Sequence, residues 1–429
     1  MHQLQELLNN RKKGAHSGVY SCCSANRYVI TAVMQKALET NTLAIVESTA
    51  NQVDHLGGYT GMTPSMFHDF VFEIACETGL PSDRVMLGGD HLGPLTFAHL
   101  PQQEAMEEAQ KLITAYIQAG YSKIHIDTSM HIGSDDMSLR LSDETIAHRS
   151  AALCRTAENA FARLASNNNS AQPPVYIIGS EVPIPGGETA PQANICVTSP
   201  DDVVATINSF DQAFHAERLD RAWQRVVAIV VQPGVEFGDN GIFEYNSAAA
   251  RPLMNVLNRY PQFVFEGHST DYQPRESLRN MVRDGVAILK VGPALTFALR
   301  EGLFALELIE QELVEKDKRS HFRTILEQAM IENPSFWEKH YRGTPEELRF
   351  KRAFSISDRA RYYQPVPIVE TAAQKLLENL DRVEIPRPLI SQFLPMELAR
   401  TQNERLNATS LLTAHIGTYI DDYLYAIQA

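Results

Sequence analysis

The sequence has no long apolar run. Its longest aliphatic stretch, Val226 to Val231, falls far short of the roughly 20 residues with which a helix crosses a bilayer, so no membrane-spanning helix is expected. The N-terminal MHQLQELLNNRKKGAHSG lacks the apolar core of a secretory leader, and the expected location is the cytoplasm. Lys and Arg form no cluster interleaved with aromatics, and the net charge is −14. A chain of that charge repels a phosphate backbone, so nucleic acid is not an expected partner. Cysteine is scarce, five in all, an odd number without framework spacing. The adjacent Cys22 and Cys23 form neither a CxxC redox pair nor a zinc knuckle. These thiols are expected to stay reduced and to pack as small hydrophobes. Phosphate-loop signatures are also missing: there is no GxxxxGK[ST], no kinase-type glycine loop followed by a strand lysine, and no GxGxxG after the first candidate strand.

What is present is a repeating pattern. Eight short β-branched runs alternate with stretches able to hold a helix: 18–26, 43–51, 85–93, 123–130, 175–183, 226–234, 263–271 and 286–294. Eight βα units in series predict a parallel (β/α)8 TIM barrel, which takes roughly 250 residues plus insertions. The predicted barrel occupies residues 1–314. Residues 315–429 read as a helical C-terminal extension, whose last helix carries one apolar stripe through Leu412, Ile416, Ile420 and Leu424 and is expected to dock on the barrel.

The polar residues sit where such a barrel does chemistry, at the C-terminal strand ends. Glu47, Asn51, Asp90, His91, Asp127, Ser129, Glu181, Gln232, His268, Asp271 and Lys290 all fall there. His91 and His268, with Gln232 and Glu181 as oxygen donors, suit zinc or a similar divalent ion with one position open. Asp90 beside His91 supplies an acid/base. Glycine-bearing turns at Gly267–Asp271 and Gly292–Thr296 predict a seat for the phosphate of a small sugar phosphate. Lys290 reads as a cation for that phosphate or as a buried ion-pair partner. Glu47, Asn51, Asp127, Gly267, Ser269, Asp271, Lys290 and Gly292 are therefore the expected substrate-contacting set. His125, on the strand face of Lys123 and Asp127, reads as an interior barrel residue without a role.

The motifs NQVDHLGGYTGMTP, GGDHLGP, EVPIPGGE, VVQPGVEF, GHSTDYQ and ILKVGPALTFALRE, followed by SDRARYYQP and PLISQFLP, span nearly the whole chain. It resembles the Z-type subunit of class II tagatose-1,6-bisphosphate aldolase, found in bacterial galactitol and N-acetylgalactosamine catabolism. The resemblance implies a barrel related to class II aldolases. It also implies a non-catalytic subunit that supports the activity and stability of a separate Y-type catalytic subunit in a chaperone-like way. Asp90 and His91 match the catalytic aspartate and first zinc histidine of class II aldolases, Glu181 falls in their glutamate segment, and His268 matches a further zinc histidine. Gln232 stands where those aldolases carry another zinc histidine, and Gly292 where they carry a substrate-holding asparagine. Asn26 replaces a histidine expected within the Z-type family. An amide in place of an imidazole weakens a zinc site, which favours the supporting role. The competing reading is a stand-alone metal-dependent aldolase or epimerase acting on a ketose phosphate.

Overall fold

All eight expected runs form strands. The computed structural model describes residues 2–133, 135–168, 171–180, 195–395 and 407–428. The strands are β1 (Val19–Cys23), β2 (Ala44–Thr49), β3 (Val85–Leu92), β4 (Lys123–Ile126), β5 (Val175–Ile178), β6 (Val226–Val231), β9 (Val264–Gly267) and β10 (Val286–Val291). Between β6 and β9 lies a small antiparallel hairpin of β7 (Glu236–Phe237) and β8 (Ile242–Phe243). The eight long strands are all parallel and close into a barrel in which β1 pairs with both β2 and β10. Runs such as VVAIVV are apolar throughout because a barrel strand is buried on both faces, by the helices outside and by the filled interior.

The lower interior is filled by Ile45, Met86, Val175, Ile177, Val230, Val264 and Ile288. It is plugged from below by Leu4 and Leu8 of the helix Gln3–Lys12. Above this apolar layer the inward positions turn polar and ionic. Lys123 lies 2.6 Å from Glu47 and 2.7 Å from Glu266, all three fully buried. Lys290 pairs with Glu47 at 2.8 Å and also with Asp90. Gly88 stands between Glu47 and Lys123 in register, and a Cβ there would fall 2.7 Å from Glu47 Cγ. A glycine is needed at that point for the glutamate to reach the lysine.

The last helix, Ala408–Ile427, packs against the helices Pro293–Leu313, Arg27–Thr40 and Arg275–Asp284. Its Leu412, Ile416 and Ile420 are fully buried. Elsewhere the extension leans over the C-terminal end of the barrel. Asp358 accepts from Arg300 Nε at 2.8 Å and from the Thr296 hydroxyl at 2.6 Å. The Tyr272 hydroxyl donates to the Ile356 carbonyl at 2.5 Å. The residues after Asp358 are thereby fixed across the barrel mouth.

Candidate metal centre at the barrel mouth

On a regular strand consecutive side chains point to opposite faces, so Asp90 and His91 could not both reach the interior. The pairing of β3 with β4 slips between Gly89 and Leu92, one extra residue on β3, and His91 adopts a left-handed φ of 50°. This bulge turns both side chains inward, the re-aiming that bulges near active sites achieve. Gly93 completes the device: a Cβ there would lie 1.7 Å from the Asp127 carbonyl oxygen.

Asp90, His91, His125 and His268 bring ligand-capable atoms within 4.8 Å of one another, all buried. The three imidazoles form a near-equilateral triangle, with ring centroids 5.0, 5.0 and 5.2 Å apart. Each ring has a carboxylate beside it. His91 Nδ1 is 2.9 Å from Asp127, His268 Nε2 is 3.0 Å from Glu266, and His125 Nδ1 is 2.8 Å from Asp90. For His91 and His268 a carboxylate on one ring nitrogen fixes the orientation and leaves the other nitrogen available, the arrangement that metal-binding histidines use, while His125 Nδ1 faces both Asp90 and the backbone N–H of His91 at 3.1 Å. His125 Nε2 is buried with no hydrogen-bond partner, a costly state for a polar atom unless a ligand meets it.

The charge count also fits a divalent ion. Glu47, Asp90, Asp127 and Glu266 set four buried carboxylates against the ammonium groups of Lys123 and Lys290. With the imidazoles neutral, two negative charges lack a buried counter-charge among these groups. Burial pulls His268 down to about 4, which leaves it neutral near pH 7 and competent as a ligand. Burial also pulls on His91, but Asp90 and Asp127 outweigh it and raise that imidazole. For Asp90 burial acts upward, and His91 and Lys290 overcome it to hold the carboxyl well below its usual range. Three imidazole ligands suit zinc or a similar ion and leave Asp90 beside them for proton transfer.

The expected residues divide clearly. Asn51, Asp90, His91, His268, Ser269, Asp271, Lys290 and Gly292 line one cavity of about 100 Å³. Asp127 and Glu47 do not. Asp127 acts behind His91, and Glu47 is locked between two lysines. A Cβ on Gly267 would strike Val286 at 2.8 Å, so this glycine serves strand packing. Lys290 is an ion-pair partner, the second of its two expected readings. Gln232 departs from its expected role. Its Oε1 accepts the N–H groups of Gly234 and Val235, which folds the amide onto its own turn. The third imidazole comes from β4 as His125, the residue read from sequence as having no role. Glu181 lies outside the described residues.

With this geometry in hand, comparison with known proteins gives a family. The model for "D-tagatose-1,6-bisphosphate aldolase subunit GatZ/KbaZ-like" proteins matches residues 4–428. The chain belongs to the GatZ/KbaZ-like family. A solved structure described as a probable tagatose 6 phosphate kinase from Sinorhizobium meliloti is 42% identical to this GatZ/KbaZ-like chain, covers 95% of it and 100% of its own length, and has a TM-score of 0.86. A fructose-bisphosphate aldolase from Campylobacter jejuni is 13% identical over 92% of the chain and 94% of its own, with a TM-score of 0.47.

The expected phosphate seat at Gly292–Thr296 holds a protein carboxylate instead. Asp271 Oδ1 accepts the N–H groups of Gly292 and Ala294 at 3.0 and 2.8 Å, capping the helix Pro293–Leu313. Burial pushes this carboxyl from 3.8 up to about 6, against the pull of those two N–H groups. Between those pH values the folded chain holds a proton that the unfolded chain has lost, so folding gains stability as pH falls from about 6 toward 4. Asp271→Asn keeps the accepting oxygen and lacks this gain. The wild-type melting temperature should therefore rise relative to the variant's between pH 7.5 and pH 4.5. A difference that stays constant over that range rules out the shifted carboxyl.

Proposed function

We propose that this subunit is itself a metal-dependent catalyst on a ketose phosphate, with Asp90, His91, His125 and His268 as its centre. The observation that carries this reading is the third imidazole, His125. The substitution at Gln232 that argued for a degraded site is matched by a histidine arriving from another strand. These residues would hold a zinc-like ion, which would supply a Lewis acid for the substrate carbonyl and for negative charge developing on it.

The chain's own residues supply the remaining chemistry. Asp90 is ionised, and Lys290 holds it in place. Its carboxylate takes the proton of the hydroxyl on the carbon β to the carbonyl as the bond between the α and β carbons breaks, leaving an aldehyde on one fragment and the electron pair in the enediolate of the other. His91 and His268 are aligned by Asp127 and Glu266, so the centre is organised before substrate arrives. Return of a proton to the enediolate carbon and release of the two fragments is aldol cleavage. Their rejoining on the opposite face of the aldehyde is epimerisation.

The experiment incubates zinc-supplemented protein alone with tagatose-1,6-bisphosphate and with tagatose 6-phosphate, following triose phosphates enzymatically and epimers by ¹³C NMR. Turnover of either sugar, lost by about 1,000-fold or more in Asp90→Asn, is the expected result. No turnover of either sugar by zinc-loaded protein overturns the reading.

The family description, which names an aldolase subunit, supports a second role. In it the chain sustains the activity and stability of a separate Y-type catalytic subunit, in a chaperone-like way, in bacterial galactitol or amino-sugar catabolism. Acceleration of a Y-type subunit's own cleavage by the Asp90→Asn variant would establish that role independently of any chemistry at the metal centre.

A further inference from the structure

The geometry points to Arg361, carried by the C-terminal extension, as the residue that binds the phosphate of the substrate. The inference rests on the ketose-phosphate reading above and specifies where the anion is held.

The inner cavity of about 100 Å³ is smaller than the roughly 300 Å³ at which small-molecule sites begin. It adjoins a chamber of about 630 Å³ between the barrel mouth and the extension. Cys23, Gln52, Tyr59, Gly292, Pro293 and Arg361 line both spaces, and Arg361 is the only one of the six with a charged side chain. A ligand with its carbonyl end at the metal centre and its remainder in the chamber passes the guanidinium.

The other basic side chains lining the inner cavity are committed. Lys290 is paired with Glu47 and Asp90, His91 with Asp127, and His268 with Glu266. The helix N-terminus at Gly292 and Ala294 is committed to Asp271. Among the described residues, Arg361 forms no ion pair with a carboxylate. Its Nη1 donates to the carbonyls of Ser357 and Asp358 at 2.6 and 2.9 Å, and Nη2 donates to the Tyr362 hydroxyl at 3.1 Å. Those bonds use both Nη1 hydrogens and one on Nη2. The Nε–H and the second Nη2–H remain, the side-on fork that grips a phosphate with two parallel bonds. The group is also held rigidly, because Asp358 is pinned by Arg300 and Thr296. A pre-oriented guanidinium loses little freedom on binding.

The test uses the full chain stripped of metal with EDTA, so that anion binding is read apart from the metal centre. Tagatose 6-phosphate and unphosphorylated tagatose are titrated by calorimetry into wild type, Arg361→Gln and Arg361→Lys, with circular dichroism and melting curves confirming the fold of each. The expected result is tighter binding of the phosphorylated sugar by wild type, a loss of that preference by tenfold or more in Arg361→Gln, and an intermediate loss in Arg361→Lys, which keeps the charge and loses the fork. Zinc uptake should be equal in all three. A wild type without preference for the phosphorylated sugar overturns the inference, as does an Arg361→Gln chain that retains the wild-type preference. Should Arg361→Gln fail to fold, an Arg361→Lys chain with undiminished preference overturns the two-bond fork. A wild type that takes up no zinc yet needs Arg361 for the phosphate overturns the metal reading and leaves this one standing.

Discussion

His125→Ala is expected to weaken zinc binding by about 100-fold or more, while the barrel stays folded. Removing a group that merely orients a ligand typically costs 10–100-fold, and His125 would be a ligand itself. Its Nε2 is fully enclosed without a partner, and its ring lies 5.0 Å from that of His91 and 5.2 Å from that of His268. Competition against a chromophoric chelator measures the affinity, and far-UV circular dichroism with a melting curve checks the fold. Gln232→Ala is the control. Its amide oxygen is bound to its own turn, so zinc affinity should change by less than about threefold. Retention of zinc by His125→Ala together with its loss from Gln232→Ala would move the third ligand back to β6, where the class II aldolase pattern places it.

The second large effect concerns the layer beneath the metal centre. Lys123→Met should destabilise the chain by about 3–5 kcal/mol, the typical cost of removing one partner from a buried ion network. Glu47 and Glu266, both fully buried, would then face each other without the ammonium that lies 2.6 and 2.7 Å away. Burial works against a charged Lys123, but Glu266 and Glu47 outweigh it and raise its pKa, so the charged pairs are the ground state near neutral pH. Denaturant unfolding gives the loss. Adding Glu266→Gln to Lys123→Met should recover part of it, since the second change removes one uncompensated charge. A loss below about 1 kcal/mol would mean that water or a bound cation reaches this layer. The same network holds Asp90 through Lys290 and His268 through Glu266, so a milder change such as Glu266→Gln should lower zinc affinity more than it lowers stability.

The legibility of the site follows from how local each signal is. The eight strands could be read because a barrel strand is buried on both faces, which forces continuous β-branched runs. The strand ends could be read because a polar residue directly after such a run has few other places to go. His91 and His268 were found in that way. His125 was not, because it lies inside β4 on the face of Lys123 and Asp127, where a histidine looks like one more interior residue. Its part depends on the bulge at Asp90 and His91, which swings a neighbouring strand's imidazole to within 5.0 Å of its own. The Gln232 expectation came from its place at the end of the sixth strand and from the class II aldolase pattern, and the turn at Gly234 and Val235 took up its amide. Arg361 falls within the motif SDRARYYQP, but nothing local linked it to the site, since it follows the last barrel strand by about seventy positions and reaches the mouth only because Asp358 is anchored to Arg300.

By itself, then, the sequence determined the (β/α)8 architecture, the end of the barrel at which polar groups gather, and the family. Those properties rest on periodicity, strand order and motifs along one stretch of chain, where each residue's immediate neighbours decide the outcome. Only the tertiary structure decided which of the polar groups meet. It brought His125 rather than Gln232 to the other imidazoles, paired Lys290 with Asp90 and Glu47, and filled the helix N-terminus with Asp271. The physical reason is that buried charges and ring nitrogens must find partners within about 3 Å in three dimensions, and which partners lie within reach is set by bulge, register and docking rather than by position along the chain.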